Sequence, residues 1–221
     1  MLGFGAFDPR LFVMIIVTFL IAITVHEFMH AWTAWMLGDD TARLLGRISL
    51  NPAVHFDPIG ALMFLLIAIG IPAIAWGKPV PVNDFRLRPL GPSGRHGSMA
   101  LVAFAGPLSN VVLGAAAAAI LRASFALGGN LGGLEEFLRV FIAVNFGLAA
   151  FNMIPIPPLD GSRILAAILP SFWRPYLASL ERYGFLVLLV LILIGGQFGS
   201  SVIGAISGPV YSLLNRVFLS V

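Results

Sequence analysis

One feature constrains this chain more than any other: between Leu11 and Leu37 the only ionisable side chains are His26, Glu27 and His30. Ionisable groups at membrane depth are costly, so three of them inside an unbroken apolar run point to function. They form the pattern His-Glu-x-x-His. On a helix, positions i and i+4 share one face, so His26 and His30 can offer two imidazole nitrogens to one metal ion. Glu27 lies one step round, where its carboxylate can take a proton from an attacking water. A single histidine on an apolar face is usually a satisfied core residue, but a complete motif inside a membrane-length run predicts a buried metal site.

The rest of the composition agrees. Of 221 residues, 59% are hydrophobic and 10% charged, with mean hydropathy +0.97, whereas soluble domains carry about 25% charged residues. The expectation is an all-α polytopic membrane protein forming a single domain over 1–221, with about five to six transmembrane helices in the cell (inner, cytoplasmic) membrane. With no cysteine, thiolate ligands and disulfides are excluded. The net charge of +3 comes from scattered arginines, which act as topology signals and not as a nucleic-acid surface. The first apolar run is too long, and its leading positive charge too weak, for a cleaved signal.

Taken in order, the first span covers roughly 11–37 and stops at Gly38-Asp39-Asp40. Alternation near 46–50 predicts a short extended segment, and Pro79-Val80-Pro81-Val82-Asn83 a second one at 79–83. The run 59–76 is barely long enough to cross and is interrupted by Gly70-Ile71-Pro72, so it is either a span or a re-entrant hairpin, with a slight lean toward the hairpin. Further apolar runs cover 99–121, 137–154, 183–194 and 201–219, and a shorter amphipathic piece covers 162–169. Cations cluster in 77–98 and between the fourth and fifth runs, which places those loops on the cytoplasmic side. The amino terminus then lies outside if 59–76 is re-entrant and inside if it spans.

Three of the four residues Pro155-Ile156-Pro157-Pro158 are proline and must end the fourth helix. The unwound chain they leave is tolerated at membrane depth only where it is buried in protein or lines a wet cavity. A catalytic zinc normally holds three protein ligands and a water, so two histidines leave it one short. Asp160, just past the break, is the best candidate for the third, the alternative being an ordinary turn aspartate or helix cap.

The ordered set His26-Glu27-x-x-His30, Ala105-Gly106-Pro107-Leu108-Ser109-Asn110 and Asn152-x-x-Pro155-x-Pro157-Pro158-Leu159-Asp160-Gly161 resembles the site-2 protease family of intramembrane zinc metalloproteases. The match covers about residues 20–165. The linker from Gly46 to Gly60 is similar to the compact bacterial and archaeal branch, which has no obvious PDZ or CBS domain. The resemblance implies one Zn2+ per chain held by His26, His30 and Asp160, with Glu27 as general base. It also implies that Asn152 helps position the substrate or its oxyanion, although Asn-Met-Ile-Pro stands where some members have Asn-Pro. Asn110 occupies a family position suited to packing or polar support between helices. His55, beside Asp57 in the linker, is a further candidate for substrate support, while His96, between Arg95 and Gly97, reads as a solvated loop histidine.

The function so implied is hydrolysis of peptide bonds in or near a substrate's transmembrane helix. The partners are that helix and the lipid bilayer, and no nucleic acid. Substrate helices must unwind, and 48–50 or 80–82 could pair with the unwound strand. Two other readings are a non-catalytic metal-binding membrane scaffold and a metal transporter. A scaffold would tolerate loss of Glu27, and a transporter would need polar residues along a path through several spans.

Overall fold

The computed structural model describes residues 8–68, 75–195 and 202–219, and among them all regular structure is helical. Helix α1 (Pro9–Met36) starts where Asp8 accepts hydrogen bonds from the N–H groups of Arg10 and Leu11 and proline fills the first position, two devices that satisfy or remove otherwise free donors. At its other end Gly38 adopts φ +102, and a Cβ there would press on the Arg88 side chain, so the predicted stop holds. A single turn, α2 (Thr41–Leu44), a 3-10 turn (Pro52–Val54) and α3 (Pro58–Ala68) follow. Then come α4 (Arg95–Ala126), α5 (Gly133–Asn152), α6 (Asp160–Ile168), α7 (Arg174–Gly195) and α8 (Val202–Leu219).

Helix α4 is the hub, packing against α1, α5, α6 and α8. Small residues allow this. Ala117, Ala118 and Leu121 meet Leu138, Ile142 and Phe146 of α5, with Tyr211, Leu214 and Phe218 of α8 behind them. At Gly114 a Cβ would fall 2.4 Å from the Phe146 ring, so only glycine lets the two helices close to this distance.

Among the described residues two helices, Pro9–Met36 and Arg95–Ala126, are long and apolar enough to cross a membrane by length and composition, against the five to six expected. Helix α5 opens on Glu135 and Glu136, and α7 carries Glu181 and Arg182 in its first half, which shortens their uninterrupted apolar stretches. Of the run 59–76, residues 69–74, including Gly70-Ile71-Pro72, lie outside the described residues, and so does the break at 196–200.

Neither 46–50 nor 79–83 forms a strand among the described residues. Pro79 and Pro81 have no N–H to give a ladder. Instead, 75–90 is tied down residue by residue. Lys78 N–H donates to His55 O (2.9 Å) and Arg88 N–H to Leu37 O (2.8 Å). Asn83 N–H donates to the Asp39 carboxylate (2.6 Å), and Leu87 is buried with Ala34, Met99 and Val102. The result is an irregular strap across the end of α1.

Candidate metal centre

The i, i+4 spacing acts as expected: the His26 and His30 rings sit on one face of α1, their centroids 4.6 Å apart and their planes at 86°. Asp160 reaches the same point from the far side of the proline break. Helix α5 stops at Asn152, the chain runs irregularly through 153–159, and Asp160 is the first residue of α6, with Leu159 at the cap position. Gly161 makes this turn feasible, because a Cβ there would lie 2.3 Å from Met153 O. Asp160 Oδ2 stands 3.2 Å from His26 Nε2 and 3.3 Å from His30 Nε2. One atom from each residue lies within 4.8 Å of the others.

The hydrogen bonds at the back of each ring decide what those nitrogens can do. His30 Nδ1 lies 2.7 Å from Val102 O, a carbonyl that only accepts. His26 Nδ1 lies 2.7 Å from Asn110 Oδ1. Asn110 spends its amide hydrogens elsewhere, donating to Ala22 O and Asn145 Oδ1, both at 3.1 Å. Both rings therefore carry their proton on Nδ1 and turn an Nε2 lone pair toward Asp160. The buried Oδ2 of Asp160 has no hydrogen-bond donor. Two lone pairs and a carboxylate facing one another in a buried site is an arrangement that calls for a cation, and N2O donors at this spacing suit zinc. Gly106 leaves the necessary room. A Cβ on it would lie 2.4 Å from His30 Nε2 and 2.7 Å from His26 Nε2.

Glu27 is 9% exposed and, with both histidines and Asp160, borders a cavity of about 530 Å³. Val80 of the strap donates its N–H to Glu27 Oε2 at 3.2 Å. Buried Arg47 holds the strap there: its guanidinium donates to the carbonyls of Val54 and Lys78 and, at 2.8 Å, to that of Pro79. Asn152 lines the same cavity, with Nδ2 donating back to Leu148 O at 3.0 Å.

Two of the support candidates lie elsewhere. Asn110 is fully buried, outside the cavity lining, and its oxygen serves the His26 ring. His55 is also buried outside the lining, where its Nε2–H donates to Ser49 O at 2.8 Å and its own carbonyl steadies Lys78. A linker histidine thus anchors the strap. His96 sits in the first turn of α4, partly buried. Sequence reasoning missed Arg47, Gly106's clearance for the rings, and Asn145. An amide in the middle of the apolar run 137–154, two turns before Asn152, was the available signal for the last.

Comparison with known proteins gives a consistent picture. The family described as Peptidase family M50 matches residues 129–195. "Putative zinc metalloprotease YwhC" of Bacillus subtilis (strain 168) is 36% identical over 182 residues, spanning 80% of this chain and 78% of that protein. Rip2 of Mycolicibacterium smegmatis, which carries the same description, is 31% identical over 82% of this chain and 67% of its own. MJ0611 of Methanocaldococcus jannaschii, again so described, is 31% identical over 76% of each chain. No solved structure matches the chain.

Proposed function

Because this chain belongs to peptidase family M50, the site-2 protease family, and is a zinc metallopeptidase, we propose that it hydrolyses peptide bonds within or near the transmembrane segments of other membrane proteins. The observation that carries this reading is the convergence of three potential metal-ligand atoms, from His26, His30 and Asp160, beside Glu27 at the wall of a cavity. Two of these residues and Glu27 lie on a helix of 28 residues, about 42 Å at 1.5 Å per residue, enough to cross a hydrocarbon core of about 30 Å.

His26, His30 and Asp160 would hold the zinc, and the ion, when bound, supplies Lewis acidity toward a water and a scissile carbonyl. Glu27 takes the water's proton on its carboxylate and returns it to the departing amine. Asn152, on the cavity wall, orients the unwound substrate chain through its amide. The Val80 N–H takes one lone pair of Glu27 Oε2 and orients the carboxylate, which keeps further lone pairs for the proton. Trp76, Phe151 and Leu188 line the cavity and give an unwound apolar segment a dry surface.

The whole of 1–221 acts in this account as one multi-pass domain in the cytoplasmic membrane. Helices α5, α7 and α8, of 20, 22 and 18 residues, span about 27–33 Å and join α1 and α4 as crossings. Large apolar side chains on several helices are exposed, among them Val13 and Val17 on α1, Val112 and Ile120 on α4, and Leu213 on α8. Apolar exposure on this scale fits contact with lipid tails.

The test is reconstitution of the purified chain in liposomes with a single-span substrate, followed by mass-spectrometric mapping of the cut. A cut inside the apolar segment, or within about a turn or two of it, supports the proposal. Cleavage confined to soluble polypeptide regions contradicts it.

A further inference from the structure

We propose that Asn145 is a positioning residue for the metal ligand His26, acting through Asn110; the inference rests on the zinc metallopeptidase reading above. Asn145 and Asn110 are both 0% exposed, on α5 and α4. Amides buried this deeply among apolar helices are costly unless every polar atom is matched. Here the matching runs in one direction. Asn145 Nδ2 donates to Phe141 O one turn back at 2.9 Å, which leaves its Oδ1 toward α4. Asn110 Nδ2 donates to that Oδ1 and to Ala22 O, each at 3.1 Å. The Asn110 oxygen then faces α1 and accepts the His26 Nδ1–H at 2.7 Å.

The polarity of this relay, which runs from α5 through α4 to α1, sets the tautomer of a ligand at its far end. If the Asn145 oxygen is removed, one Asn110 amide hydrogen is left buried without an acceptor, and the Asn110 amide loses half of what fixes its orientation. A flipped Asn110 amide would present N–H to His26 Nδ1. His26 would then keep its proton on Nε2, directed at Asp160, where it cannot ligate. His30 is not exposed to this failure, because its Nδ1 is held by the main-chain carbonyl of Val102, which no side-chain change can turn round. The site thus has one ligand oriented by backbone and one oriented by a two-asparagine relay. Outer partners of this kind tune metal affinity without touching the metal.

The experiment measures zinc dissociation constants by chelator competition on the full purified chain, for wild type, Asn145→Leu, Asn145→Val and Asn145→Asp. A buried aspartic acid kept neutral reproduces the amide's geometry, with C=O toward Asn110 and O–H toward Phe141 O. The expected result is zinc binding weakened about 10–100-fold in the apolar variants, near-wild-type affinity in Asn145→Asp, and recovery of cleavage by Asn145→Leu in excess zinc. Asn145→Val, which is smaller and introduces no clash, answers the same question if Asn145→Leu does not fold. Wild-type affinity in a folded apolar variant overturns the inference and leaves the metallopeptidase reading intact. A wild-type chain that binds no zinc overturns both.

Discussion

Val80 donates its backbone N–H to Oε2 of Glu27 across 3.2 Å, although the two residues are 53 positions apart in the chain. The hydrogen bond joins the strap to the carboxylate that acts as base in the proposed chemistry and orients it. It makes the strap part of the site, and Arg47 is the residue that keeps the strap in place.

Arg47→Ala should therefore loosen residues 78–80. Hydrogen bonds from a charged donor contribute about 1.5–3 kcal/mol each, so amide exchange at Val80 should speed up by at least about tenfold. Arg47→Lys should restore little, because one ammonium cannot replace a planar fork serving the carbonyls of Val54, Lys78 and Pro79. Unchanged exchange at Val80 in Arg47→Ala would remove Arg47 as the anchor.

Gly106→Ala places a methyl 2.4 Å from His30 Nε2 and 2.7 Å from His26 Nε2. The expected outcome is a folded chain whose zinc affinity falls by at least about tenfold, since the rings must swing aside to avoid the overlap. Gly147→Ala is the matched control, with nothing within 4 Å of its added Cβ. It should keep zinc and gain about 0.5–1 kcal/mol of stability from the helix propensity of alanine. Equal zinc affinity in both variants would refute the clearance argument.

Stripping zinc should lower the thermal midpoint, because three acceptors would be left facing one another at 3.2–3.3 Å without a cation. A ligand that binds only the folded state at about 100 times its Kd contributes about 2.7 kcal/mol. Wild type should thus melt lower in chelator, and Asp160→Asn, which lacks the carboxylate, should melt alike with and without it. A wild-type midpoint indifferent to chelator would count against the site.

Asn152 and His55 should part company under mutation. Asn152→Ala should keep zinc and lower cleavage, since its side chain lines the cavity without reaching the ligands. His55→Ala should keep zinc, leave the cavity lining unchanged and loosen the Ser49–Lys78 anchorage instead, seen as faster exchange in that linker. Loss of zinc in His55→Ala would show that this histidine reaches further than its contacts indicate.

What the sequence disclosed was what depends on local geometry. The shared face of His26 and His30 follows from helical periodicity, and the end of α5 follows from Pro155, Pro157 and Pro158. The approach of Asp160 was inferable because the break leaves few acidic residues at the right depth. Arg47 and Pro79, 32 positions apart, and Asn110 and Asn145, 35 apart, could not be paired in advance. Their contacts depend on the rotation and depth of whole segments, which no window of sequence encodes. The segment expected to be extended at 79–83 builds no ladder for a local reason: alternate prolines leave few donors, and of these the N–H of Val80 goes to Glu27 and that of Asn83 to Asp39. Among the described residues, length and apolarity alone pick out two of the expected spans, because charges in the first halves of α5 and α7 interrupt their apolar stretches.

The central claim is that Glu27 moves the proton while His26, His30 and Asp160 hold the zinc. The most direct measurement compares zinc content and cleavage of a reconstituted single-span substrate between wild type and Glu27→Gln. The account predicts about one zinc per chain in both, with cleavage reduced by at least about 100-fold in the variant. Zinc in both with cleavage unchanged would contradict the role of Glu27, and no zinc in either would contradict the metal centre itself.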